Sequence, residues 1–277
     1  MESSKLLLIT GVSSGFGRAL AQEALAVGHR VVGTVRNAQA KQDFEALSTE
    51  RAFARILDVT EFDSIDGVVA EIEANVGPVD VLVNNAGYGH EGILEESTLS
   101  EMRRQFDVNV FGAVAMMKAV LPFMRERRCG HVLNITSMGG YITMPGIAYY
   151  CGSKFALEGI SDALAKEVQP FGIAVTAVAP GSFRTDWAGR SMSRTPRSIP
   201  DYDAIFEPVR KARMEKSGKQ LGDPGKAARA MLAVIDADHP PVHLLLGSDA
   251  LQLVRSNLST VASDLCAWEH VRVSTDG

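Results

Sequence analysis

Seven short runs rich in valine, leucine and isoleucine punctuate this chain: Leu6 to Ile9, Val31 to Val35, Ala52 to Leu57, Val79 to Val83, His131 to Ile135, Ala174 to Ala179 and Val242 to Leu246. Runs this short and this continuous suit strands covered on both faces, because a strand with one wet face would alternate apolar and polar residues. Between them lie stretches with helical periodicity, including Gly17 to Ala26, Ser64 to Asn75, Arg103 to Met124 and Tyr150 to Gln169. Parallel strands cannot be joined by tight hairpins and need such crossovers. The pattern predicts an α/β fold, doubly wound, with a mainly parallel seven-stranded sheet and helices on both faces.

No repeat, low-complexity tract or Pro/Gly/Ser-rich linker divides the 277 residues, so one domain spanning 1–277 is expected. The rhythm weakens between Arg184 and Lys219, where Pro196, Pro200 and Pro208 appear and nine Lys/Arg stand against five Asp/Glu. A long irregular insertion in a compact domain is a lid, a binding loop or a solvated surface segment, and a substrate lid is expected near 184–222. The polar tail 268–277 is expected to fray.

Composition narrows the function classes. With 46% hydrophobic and 22% charged residues the chain is an ordinary folded protein, and its net charge of −5 argues against non-specific nucleic-acid binding. The three cysteines, Cys129, Cys151 and Cys266, are odd in number and widely spaced, which suits neither a disulfide framework nor a paired-thiolate metal site and fits a reducing, cytoplasmic setting. His239 and His243 are four apart, but Pro240 and Pro241 forbid the helix that would pair them on a metal, so no metal site is expected. Leu6 to Ile9 is too short for a signal-peptide core, and no eighteen uninterrupted apolar residues suggest a membrane span.

Directly after the first run comes Thr10-Gly11-Val12-Ser13-Ser14-Gly15-Phe16-Gly17, leading into a helical pattern. Gly11 permits a tight turn off the strand, Gly15 lets backbone approach a pyrophosphate, and Gly17 lets the helix pack close to the sheet. The helix N-terminus then offers unpaired N–H groups to phosphates. The spacing differs from G-x-G-x-x-G, and glycines also mark plain turns. At the end of the second strand, Gly33-Thr34-Val35-Arg36-Asn37 carries no carboxylate to hold a ribose diol. Arg36 suits a 2′-phosphate instead, which favours NADP(H) over NAD(H).

Tyr150 and Lys154 are i and i+4 on a helical pattern, hence on one face, with Ser137 thirteen residues upstream of Tyr150. A phenol of ordinary pKa about 10 is a poor base at neutral pH, and a nearby ammonium favours its ionised form, so lysine tunes and tyrosine transfers the proton. Tyr149 has Ser153 where a lysine would be needed, and Cys151 lacks a histidine partner and reads as a small helix residue.

Taken together, these residues resemble the short-chain dehydrogenase/reductase family, single-domain branch, over nearly the whole chain. Thr10, Gly11, Gly15 and Gly17 match its glycine motif, and Asn84-Asn85-Ala86-Gly87 matches a motif after the fourth strand. The resemblance implies a Rossmann-type fold and a catalytic tetrad of Asn109, Ser137, Tyr150 and Lys154. Ser137 would hold the substrate oxygen, Tyr150 exchange its proton, Lys154 grip the nicotinamide ribose and Asn109 hold a water. It implies a cofactor site of Gly11, Ser13, Ser14, Gly15, Phe16, Gly17, Arg36, Asp58, Val59, Asn85, Ala86, Gly87, Tyr150, Lys154, Pro180, Gly181, Phe183 and Thr185.

The wording around Tyr150 to Gly159 is similar to the 17β-hydroxysteroid and retinol dehydrogenase branch, which implies a lipophilic alcohol or carbonyl substrate. Met138, Tyr141, Met144, Phe183, Trp187 and Phe206 are the candidate pocket side chains, although such residues also simply pack. The expected activity is NADP(H)-dependent hydride transfer between nicotinamide and that substrate. The alternatives are a catalytically idle NADP(H)-binding sensor, which should have lost Tyr150 or Lys154, and an epimerase, which needs a larger C-terminal domain. A homodimer or homotetramer is implied, with the helices near Arg103 to Met124 and Tyr150 to Gln169 at the two-fold axis and Leu244 to Val254 as a second contact.

Overall fold

The computed structural model describes residues 4–277. Its strands are β1 (Leu6–Ile9), β2 (Arg30–Val35), β3 (Ala52–Ile56), β4 (Val81–Asn84), β5 (Gly89–Glu91), β6 (Gly130–Ile135), β7 (Ile173–Pro180), β8 (Met192–Arg194) and β9 (His243–Leu246). Its α-helices are α1 (Gly15–Ala26), α2 (Ala38–Glu45), α3 (Phe62–Asn75), α4 (Leu99–Phe106), α5 (Gly112–Arg127), α6 (Ala148–Val168), α7 (Asp203–Glu215), α8 (Pro224–Ile235), α9 (Ser248–Ala267) and α10 (Glu269–Val273).

The seven apolar runs all become strands of one sheet, in the order β3-β2-β1-β4-β6-β7-β9, with every neighbouring pair parallel. This is a Rossmann-like fold. Leu7 and Ile9 pack with Val31, Val81 and Val83 beneath α1 and α8, whereas Leu6 and Leu8 pack with Leu82 and Val132 beneath α3 and α5. Burial on both faces is why β1 reads as an unbroken apolar run. The chain leaves β1 toward β2 and β3, then returns to place β4 on the other side of β1. That reversal opens a crevice at the carboxyl ends of β1 and β4, where doubly wound sheets bind ligands.

Three expectations are corrected. The helix around Arg103 to Met124 runs from Leu99 to Arg127 and carries a π-helical turn, Asp107–Phe111, between α4 and α5. By length and mean apolarity it would suffice to cross a bilayer, yet Met116, Met117, Val120 and Met124 lie buried against the sheet as a crossover helix does. The segment from Arg184 to Lys219 is not irregular throughout. It contains β8, which pairs in parallel with β5, and the thirteen-residue α7. Two three-residue strands leave no periodic trace, and Pro208 inside α7 reads as a breaker. Finally, the tail is helical to Val273, with side chains exposed from Trp268 onward.

Candidate active site

The crevice is a cleft of about 1450 Å³ lined by the loops that follow β1, β2, β3, β4, β6 and β7. Gly11 and Gly15 take φ values of +72° and +60°, so the turn off β1 needs residues without a Cβ. A Cβ on Gly17 would lie 2.4 Å from Asn85 Nδ2 and 2.5 Å from the Gly11 carbonyl oxygen, which fixes α1 against the β4 loop. The two loops are tied by side chains. Asn85 Nδ2 donates to the carbonyls of Thr10 and Gly11, each at 2.9 Å, while Thr10 Oγ1 accepts from the amides of Asn85 and Ala86.

Ser14, the N-cap of α1, makes no side-chain capping bond, and the first turn holds no acidic residue. The opening N–H groups therefore face the cleft with their hydrogen-bonding capacity and helix dipole unspent, and they fit a pyrophosphate. Arg36, Asp58 and Val59 line the cleft further along, and Asp58 is held by Thr60, whose amide and hydroxyl donate to Oδ1 at 3.0 and 2.8 Å. At the other end Pro180, Gly181, Phe183 and Thr185 line the cleft, with Phe183 edge-on to Phe16 at 5.2 Å. Asp249 of α9 secures this corner by accepting from the Ser182 amide at 2.8 Å.

On the cleft floor, Ser137 lies just past β6 and Tyr150 and Lys154 rise from the first turns of α6. Ser137 and Tyr150 line the same part of the cleft, and Ser137 Oγ accepts from the Gly139 amide at 3.0 Å. Burial raises the Tyr150 phenol well above its ordinary range, and the Ser137 and Trp187 side chains pull it partly back. The phenol is therefore a proton donor in the resting site. Lys154 Nζ donates to the Ile135 carbonyl at 2.8 Å and lies 5.8 Å from the Tyr150 ring centre. Burial pulls its ammonium down to about 8, while the Glu158 carboxylate opposes the fall.

Asn109 sits in the π-helical turn, one layer behind the cleft wall. Its Nδ2 donates to the Tyr88 carbonyl and Ser153 Oγ, both at 3.1 Å, and its Oδ1 accepts from the Tyr88 amide. The extra residue in that turn aims Asn109 at the β4 loop, an arrangement π-bulges often serve. Asn109 Oδ1 and Lys154 Nζ both flank Gly87.

The short chain dehydrogenase family profile matches residues 5–195. The chain belongs to the short-chain dehydrogenase family. Over 244 residues, 88% of each chain, it is 39% identical to the 3-ketodihydrosphingosine reductase of Bacteroides thetaiotaomicron. A short-chain dehydrogenase structure from Streptomyces avermitilis superposes with a TM-score of 0.93 at 43% identity, covering 100% of both chains. The structure of ElxO with NADP bound superposes with a TM-score of 0.75 at 26% identity, over 90% of this chain and 100% of that one.

In this short-chain dehydrogenase the candidate substrate residues divide. Met138, Met144 and Trp187 line the cleft beside Tyr150, the Trp187 ring centre 5.0 Å from that of Tyr150. Tyr141 does not line it. Its hydroxyl donates to Glu158 Oε2 at 2.9 Å and meets His243 Nδ1 at 2.8 Å, on the far side of α6. Phe206 is also withdrawn, buried against Gly146 and beneath the Arg197 guanidinium. Sequence reading missed Glu158, which accepts from Thr136 and Tyr141 and so ties the Ser137 loop to α6. It also missed the cations that α7 brings to the cleft, for which the lid's surplus of basic residues was the available signal.

Proposed function

We propose that this oxidoreductase reduces a lipophilic ketone or aldehyde with NADPH, using Tyr150 as the proton donor. The observation that carries the reading is the convergence of Ser137, Tyr150 and Lys154 at one point of an apolar-walled cleft. A nicotinamide bound along the glycine loop would supply hydride to the carbonyl carbon. Ser137 holds the carbonyl oxygen, and Tyr150 gives it the phenolic proton as the carbon becomes a carbinol. The Lys154 ammonium, when protonated, stabilises the tyrosinate left behind.

The NADPH preference rests on Arg36 in the cleft at the end of β2, where no carboxylate stands, and draws support from the NADP-bound relative. Met138, Met144 and Trp187 supply an apolar wall for the substrate body. Self-association is part of the same reading, supported by exposed Phe111 at the head of α5 and exposed Phe155 on α6. Steady-state rates with NADPH and NADH against a panel of lipophilic ketones test the activity. Arg36→Asp should lower the NADPH over NADH preference by about tenfold or more, by loss of a charge-assisted contact and added repulsion. Equal use of both cofactors by the wild type would contradict the preference.

A further inference from the structure

Part of the cleft wall is made by one face of α7. Pro208, Val209, Ala212, Arg213 and Lys216 of this helix and its end line the cleft. The first three suit an apolar body, but the last two are cations three residues apart on the same face. Arg213 is the unusual one, because its side chain is only 10% exposed. A guanidinium so withdrawn from water needs anionic partners.

Its Nη1 pairs with Glu91 of β5, a carboxylate 1% exposed, and its Nη2 reaches the Pro145 carbonyl at 3.4 Å. The same carboxylate is shared with Arg194 Nε at 3.0 Å and Arg210 Nε at 3.7 Å. Arg210 has a further carboxylate partner in Glu207, at 3.4 Å, and the cleft-lining Lys216 sets a second cation beside Arg213. Arg213 also lies close to the chemistry: burial raises the thiol of Cys151, the neighbour of Tyr150, and the Arg213 charge pulls it down. Lys216 extends this positive field to the cleft mouth, where it is exposed.

We propose that the natural substrate is an anionic amphiphile whose carbonyl meets Tyr150 and whose carboxylate, sulfonate or phosphate group is held by Arg213 and Lys216. The inference rests on the reductase reading above and names its substrate class. Apolar body and anionic group are then recognised by the same helix face, and the low-dielectric surroundings of Arg213 strengthen the charge pairing.

The test is a series of methyl ketones of graded chain length, each supplied once with a methyl terminus and once with a carboxylate terminus. NADPH oxidation is followed at low ionic strength. At the best length the carboxylate should be preferred in kcat/KM by about tenfold or more, and salt should erode that preference. Lys216→Glu, a change at an exposed position that spares the Glu91 cluster, should bring the ratio to about one or below. Reduction of the neutral ketones with no carboxylate preference at any length overturns the inference and leaves the reductase reading standing. No turnover of either series by a chain that binds NADPH overturns both. Weaker NADPH binding by Lys216→Glu, in proportion to its lost turnover, would assign the cations to the cofactor and also overturn the inference.

Discussion

The wall formed by the loops after β1 and β4 and the wall formed by residues 184–222 line one cleft but are held by different forces. The first is set by main-chain atoms and neutral side chains at close range: Thr10, Gly11, Asn85 and Ala86 lock through hydrogen bonds of 2.9 to 3.0 Å over a sheet of fully buried aliphatics. The second is set by charge. Glu91 gathers three arginines, and Glu96 accepts from Arg197 Nε at 3.1 Å and from the amides of Ser198 and Ile199. Close packing tolerates little variation, whereas long charged side chains on a surface segment can be re-aimed to suit a particular substrate.

The two walls should therefore fail differently. The largest effect is expected on the charged wall. Glu91→Gln leaves the enclosed Arg213 guanidinium without its charge partner and should cost about 3–5 kcal/mol in urea unfolding. A loss below about 1 kcal/mol would mean that solvent already screens the cluster and would break the contrast.

Acid should act on the sheet that carries the first wall. Burial, aided by the Lys5 charge, lowers His131 on β6 from 6.5 to about 4. The folded chain therefore keeps this histidine neutral while the unfolded chain takes up a proton. Its contribution is complete above pH 6.5 and is lost as pH falls toward 4, amounting to about 3 kcal/mol. His131→Leu should flatten that limb of the stability profile, and an unchanged acid limb would assign it to other groups.

A smaller effect sharpens the packing argument. Gly17→Ala places a methyl against Gly11 and Asn85 and should cost about 1–3 kcal/mol while weakening NADPH binding. Gly159 lies in the middle of α6 with nothing within 4 Å of an added Cβ, so Gly159→Ala should instead gain about 0.5–1 kcal/mol. Equal responses at the two positions in thermal unfolding would contradict the close-approach account.

The same difference decides what could be read from the residues alone. Two-sided burial writes itself into sequence as unbroken apolar runs, so all seven strands of the large sheet were legible to within two residues. The glycine loop was legible because Gly11 and Gly15 adopt a backbone that other residues resist. Tyr150 and Lys154 were legible because i and i+4 share a helix face. Tyr141 was misplaced because nothing local tells which side of α6 the residues after Ser137 will face, and the Glu158 and His243 partners that decide it come from distant segments. The charged wall was visible only as a surplus of basic residues. Its pairing partner, Glu91, lies on a three-residue strand about a hundred positions away.

The central claim is that Tyr150, supported by Ser137 and Lys154, hands its proton to a carbonyl oxygen in this cleft. The most direct measurement compares NADPH oxidation by the wild type and Tyr150→Phe at saturating ketone, with NADPH binding followed separately by fluorescence. The account predicts that the variant still folds and binds NADPH but loses about 10²–10⁴-fold in kcat, because only the proton donor is gone. Turnover within about twofold of the wild type would contradict it and move the proton transfer to another group.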